Sequence, residues 1–250
     1  MQDIHMFWHG PRLGPVHAAC IRSFRRHGHP VVLHCYDAPD DIPEGVTTFD
    51  ASRIMPYSDL IANAETGSVS LGSNRYRYRM LRQGLGPYVD CDVFCLRPFP
   101  EDTYLFGWQD DREVNGAVLG YPPDSALAEA LVVGTADHRR APEHARRRNR
   151  LLFEVGRRIG LPRSVADLPW GVWGPNLLTH WVKTLGLEDR AAPIDRYYPL
   201  NAWATSLLFE PGLRLADLVT PRSHAIHLWH KMLDKRSPPP NSPLREIVEI

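Results

Sequence analysis

Hydrophobic and polar positions change their period along the chain, and the changes predict its elements. Residues 4–9, IHMFWH, form a short run rich in aromatics, which reads as a buried strand. Over residues 15–27 the period lengthens. Val16, Ala19, Cys20 and Phe24 fall on one helical face, and Gly28 stands where a helix C-terminus favours glycine. PVVLHCY, residues 30–36, is a second apolar strand stopped by Asp37. Strand, helix, strand is the opening of an α/β domain with a parallel sheet. GVTTFD, residues 45–50, offers a third strand, and the polar, glycine-bearing stretch 55–72 reads as a loop with a short helix.

Ser73 is the expected cap of a helix over residues 73–84, which Gly84 or Gly86 ends. PYVDCDVFCL, residues 87–96, reads as one strand, followed by the turn RPFPED. Residues 104–109 and 113–121 are further strand candidates, and 125–135 and 144–159 are helical. Pro175 opens a helix over 174–186. SHAIHLWHKM, residues 223–232, is a last aromatic segment. KRSPPPNSP, which begins at Lys235, breaks regular structure before LREIVEI. The organisation expected is one domain over 1–236, then a proline-rich spacer and short tail over 237–250.

Composition narrows the classes. Hydrophobic residues make up 43% of the 250 and charged ones 23%, as in ordinary soluble domains. The formal net charge is zero, so no global field favours nucleic acid or an anionic membrane as a partner. No apolar run approaches the roughly 18 residues of a membrane span. MQDIHMFWHG has no basic region leading into an apolar one, so no signal peptide is read there. Four scattered cysteines do not make a disulfide scaffold, and reduced thiols in the cytoplasm are the expectation. No P-loop, GxGxxG turn or Ser-His-Asp pattern is found.

The chemistry-bearing stretch is GPYVDCDVFC, residues 86–95. On a continuous strand Tyr88, Asp90 and Asp92 share a face, and Cys91 points the other way. Two neighbouring carboxylates repel unless a cation joins them. A divalent metal with oxygen ligands, Mn²⁺ or Mg²⁺, would do so and would keep substrate phosphates as its other ligands. The alternative is an exposed strand end with two solvated acids.

The longer segment SNRYRYRMLRQGLGPYVDCDVFC resembles the S-D-x-x-R, helix, G-G-x-Y-x-D-x-D pattern of nucleotide-sugar glycosyltransferases of the GT-A fold. The nearest groups are the DXD-motif sugar transferases of glycosyltransferase family 32, the α-1,4-glycosyltransferases and the large glucosylating toxins. The pattern fits without a gap from Ser73 to Asp92. Asn74 and Leu85 depart from it, standing where the family has Asp and Gly. IHMFWHG, EVNGAVLG, WGPNLLTHW and AIHLWHK resemble further family segments in the right order.

The resemblance implies an open, mixed, mostly parallel sheet flanked by helices in a single domain. It implies hexosyl transfer from a nucleotide sugar, UDP-linked, to an acceptor hydroxyl with retention, and a role in polysaccharide synthesis. Trp8 would stack on the base, and Asn74, Arg77, Tyr88, Asp90 and Asn115 would line the nucleotide sugar. Asp92, with Asp90 and His227, would hold the metal, and His227 would also lie near the diphosphate. Asp90, Asp92 and Arg77 would carry the catalysis. Each has a plainer alternative: core packing for Trp8, a solvated arginine for Arg77, a bulge cap for Asn115, ordinary histidines for His227 and His230. A glycan, lipid-linked or protein acceptor is implied without choice among them. The basic run HRRAPEHARRRNR reads as a solvated helix face, with contact to an acidic acceptor or an anionic membrane surface as the alternative. A non-catalytic nucleotide-sugar or glycan-binding domain is the rival reading of the whole, motivated by Asn74 and Leu85.

Overall fold

The computed structural model describes residues 1–234 and 236–250, so Lys235, the first residue of the proline-rich break, lies outside the described residues. Strand β1 (Ile4–Phe7) leads into helix α1 (Gly14–Arg26), then β2 (Val31–Cys35) and β3 (Thr47–Asp50). Helix α2 (Ser70–Arg82) precedes β4 (Tyr88–Val89) and β5 (Val93–Cys95). A hairpin of β6 (Leu105–Trp108) and β7 (Val114–Gly120) follows, then α3 (Ala126–Gly134), α4 (Arg147–Arg158) and α5 (Pro175–Thr184). The chain closes with α6 (Ile194–Tyr197), β8 (Ala225–His227) and α7 (Pro243–Val248).

Six strands form one sheet in the order β3-β2-β1-β4-β7-β6. The first four run parallel, and β7 is antiparallel to both of its neighbours, β4 and β6. The expected α/β architecture, a mostly parallel sheet flanked by helices in a single domain, is what forms, consistent with a GT-A-like fold. All four residues of β1 are buried, as a strand covered on both faces requires. Ile4 and Met6 pack with Ile21 and Phe24 of α1, while Phe7 stacks on Tyr76 of α2 at 4.4 Å. The N-terminus of α1 has no cap of its own. The Asp41 carboxylate fills that place, accepting the N–H groups of Leu13 and Gly14 at 2.6 and 2.8 Å.

Two expectations are corrected. Helix α2 starts at Ser70, so Ser73 lies inside it and caps nothing. Gly72 sits where a Cβ would stand 2.8 Å from the Ile61 backbone nitrogen, and the Gly72 N–H donates to the Ile61 carbonyl, so the preceding loop packs onto the first turn. The stretch 87–96 is not one strand. Its first half pairs with β1 and β7, the chain turns at residues 90–92, and its second half pairs with β8 in a separate two-stranded ladder. In the tail, Leu244 and Ile247 of α7 are buried in a cluster with Ala19, Cys20, Phe94 and Ile226. The four cysteines are free and buried. Among the described residues no helix is long and apolar enough to cross a membrane.

Under the sheet His5 Nδ1 and His34 Nε2 share a hydrogen bond of 2.8 Å, and His34 Nδ1 meets the Tyr76 hydroxyl at 2.7 Å. Burial, then the neighbouring His5, pushes His34 down to about 3 from the usual 6.5. The folded chain therefore keeps His34 neutral where the unfolded chain would take up a proton. Its contribution is complete above pH 6.5 and is lost as pH falls toward the folded value. The melting midpoint should drop steadily from pH 7 to pH 5, and His34→Gln should show a shallower drop over that range.

Candidate active site

The turn between β4 and β5 is the centre of the site. The Asp90 N–H still belongs to the sheet, donating to the Ala117 carbonyl at 2.7 Å. Two residues on, the Asp92 carbonyl accepts the Leu228 N–H at 2.9 Å, which ties the chain to the strand end of β8. The two acids therefore leave the sheet at its carboxyl edge, where open α/β sheets bind ligands.

Asp90 is held by a fork. Arg77 Nη2 donates to Oδ1 at 2.9 Å and Nη1 to Oδ2 at 3.2 Å, while the Tyr88 hydroxyl donates to Oδ1 at 2.8 Å. Arg77 is buried, lies 4.3 Å above the Tyr88 ring and donates to the Gly116 carbonyl at 2.6 Å. Its fork is thus spent inside the protein. Burial opposes its charge, but Asp90 together with the Tyr88 and Tyr78 hydroxyls outweighs that and keeps the guanidinium ionised.

Asp92 is held from the C-terminal segment. His227 Nε2 meets its Oδ1 at 3.2 Å, and the His230 N–H donates to Oδ2 at 3.0 Å. Burial opposes its charge, but His227 and the two hydrogen bonds hold the carboxyl well below the usual carboxylate range. Trp229, between those two histidines, adopts a left-handed backbone at φ 52°, and this turn aims the His230 N–H at Asp92.

Asp90, Asp92 and His227 each offer one donor atom, and all three atoms lie within 4.8 Å of one another. Carboxylate oxygens with one imidazole nitrogen suit a hard divalent ion such as Mn²⁺ or Mg²⁺. His227 Nδ1 is buried and has no hydrogen-bond partner among the described residues.

Trp8 stands at the carboxyl end of β1, half-buried, with its N–H donating to the Gly10 carbonyl at 3.2 Å and its ring 4.5 Å from His17. The His17 ring in turn lies 4.2 Å from His230, so a row of rings runs from Trp8 toward Asp92. Asn74 lies against Gly174, its Nδ2 3.0 Å from where a Cβ at that position would stand, so a side chain there would displace it. The Asn115 Nδ2 donates to Gln109 at 2.6 Å and its Oδ1 accepts the Ala117 N–H at 2.7 Å. Both ends of its amide are engaged, which matches the bulge-cap alternative. Gly86, the glycine of the pair that this chain retains, sits at φ +133° with a Cβ position 3.0 Å from the His5 ring.

Two groups escape the sequence reading. Lys231 donates to Ser68 Oγ; burial lowers the pKa of its ammonium, and Asp90 and Asp92 offset only part of that. His17 sits on the buried face of α1 among apolar residues and carries no motif. A hollow of about 740 Å³ between Trp108, Ile194 and Val219 shares no residue with this cluster.

No protein-family model matches the chain. A human (Homo sapiens) α-1,4-N-acetylglucosaminyltransferase is 22% identical over 198 residues, which is 70% of this chain and 47% of that protein. The chain thus spans about half the length of the curated relative it matches.

Arg77→Ala should lower the unfolding free energy by about 3–5 kcal/mol, toward the low end because Asp90 keeps some contact with water. The double variant Arg77→Ala with Asp90→Asn should recover part of that loss, since no unpaired charge remains. Denaturant unfolding of the two proteins checks both.

Proposed function

We propose that this chain transfers a hexosyl group from a nucleotide sugar, uridine-linked, to an acceptor hydroxyl, with Mn²⁺ or Mg²⁺ held by Asp90, Asp92 and His227. The meeting of those three side chains at the carboxyl edge of a mostly parallel sheet is the observation that carries the reading. The distant likeness to a transferase named for N-acetylglucosaminyl transfer supports glycosyl transfer in general and makes UDP-N-acetylglucosamine, with UDP-glucose, the first donor to try.

The roles follow from what each group is free to do. Asp92 is an anion at neutral pH and needs no further activation to accept a cation. When bound, the metal supplies positive charge beside the departing diphosphate. Lys231 adds a second positive charge on the same side, where developing phosphate charge would meet it. Arg77 and Tyr88 act through Asp90: they fix its carboxylate so that its remaining lone pairs face outward. Trp8 offers its ring to the base, a contact worth about 1–3 kcal/mol. Asn74, beside the Gly174 turn, meets sugar hydroxyls as a neutral amide where the family pattern has a carboxylate.

Retention is the outcome the resemblance implies. In that reading the bond from the anomeric carbon to the phosphate oxygen breaks while the acceptor oxygen bonds to that carbon on the same face. The acceptor proton passes to the leaving phosphate. Such a route needs no second carboxylate flanking the sugar as nucleophile, and Asp90 is already committed to Arg77.

Asp92→Asn should lower Mn²⁺-dependent release of UDP from the nucleotide sugar by about 100-fold or more, with the fold intact by circular dichroism. Undiminished release would remove Asp92 from the chemistry. Calorimetry that finds tight Mn²⁺–UDP binding by the parent protein, with no UDP released over hours, would instead make this a binding domain.

A further inference from the structure

The outward face of α4 carries charge and hydrocarbon together. The protein has no net charge, yet residues 138–163 hold nine arginines against two glutamates. Glu154 is already shared by Arg157 and Arg158 at 2.9 and 3.0 Å. Arg146, Arg147 and Arg148 are exposed, and among the described residues no carboxylate is paired with them.

Leu151, Val155 and Ile159 recur at every fourth position beside those arginines and are 63, 43 and 63% exposed. Leu161, in the turn after the helix, is 71% exposed. The inward side is a different set: Phe153 and Gly156 are buried. A surface helix of a globular domain turns one apolar stripe to the core and leaves a polar face outside. Here a second stripe of large aliphatics stands in water, ringed by guanidinium groups.

We infer that α4 and the turn after it dock this protein on an anionic lipid bilayer. The helix lies in the plane of the interface, its aliphatic side chains among the upper acyl chains and its arginines at the lipid phosphates. A soluble polyanion would pair with the arginines and leave the aliphatics in water. An apolar groove on another protein would take the aliphatics and strand the arginines. A charged bilayer interface takes both. At 12 residues α4 is far short of a span, so the contact is peripheral. This inference does not depend on the sugar-transfer reading.

The test is flotation of the full chain with vesicles of phosphatidylcholine, with and without phosphatidylglycerol. Binding should be about tenfold tighter to the mixed vesicles and should weaken as salt is raised. Leu151→Ser with Val155→Ser and Ile159→Ser should lose about tenfold in binding. Arg146→Gln with Arg147→Gln and Arg148→Gln should lose the preference for anionic lipid. All these side chains are exposed, so melting midpoints should stay near the parent's, and so should the melting shift with UDP and Mn²⁺. Absence of flotation overturns the inference. So does binding that the serine variant retains in full, which would mean attraction by charge alone to any polyanion.

Discussion

The site depends on the ion pair between Arg77 and Asp90. It joins α2 to the end of β4 across a buried gap, and it also takes in the Gly116 carbonyl of β7 and the Tyr88 ring. A guanidinium is the group for this work, since it stays charged when buried and its fork satisfies both carboxylate oxygens at once. With Asp90 anchored, the chain changes direction after β4 and sends Asp92 toward the C-terminal segment. Two adjacent acids can then approach one another because each has its own cationic or N–H partner: Arg77 for the first, His227 and the His230 amide for the second.

The C-terminal segment completes what the sheet begins. Among the described residues β8 pairs only with β5, through Val93 opposite His227, and that register sets the histidine beside Asp92. Trp229 then takes a conformation that costs a bulky residue of the order of 1–3 kcal/mol. Its indole N–H donates to the Leu200 carbonyl at 2.8 Å and its ring lies 4.2 Å from His227, contacts that hold it there. The strain is placed where it directs an amide at a carboxylate and a lysine toward the acid pair.

Much of the first half was legible. The runs that became β1, α1 and β2 are bounded by Gly28, Pro30 and Asp37, and their period alone separates strand from helix. The acids and Arg77 were legible as a pattern. The turn at residues 90–92 was not, because Tyr, Val and Phe favour strand on both sides of it and the break is set by partners far along the chain. Arg77 and Asn115 illustrate the same limit: residue type marks them, but only the fold shows that their hydrogen bonds are spent inside the protein. Lys231 and His17 have no local signal, since each gains its place from packing between distant segments. The aliphatic stripe of α4 is visible as a period, yet a period does not tell inward from outward.

The placing of His230 has a consequence for the chain as it is made. Its amide meets Asp92 across 138 residues of sequence, so the segment that carries it leaves the ribosome long after the first acid. The sheet and its first acid can form earlier, from local and mid-range pairings, but the cluster of side chains stays incomplete until the segment with His227 and His230 has been made. A polypeptide broken off before that segment therefore holds Asp90 on its arginine but leaves Asp92 without the imidazole and amide that fix it.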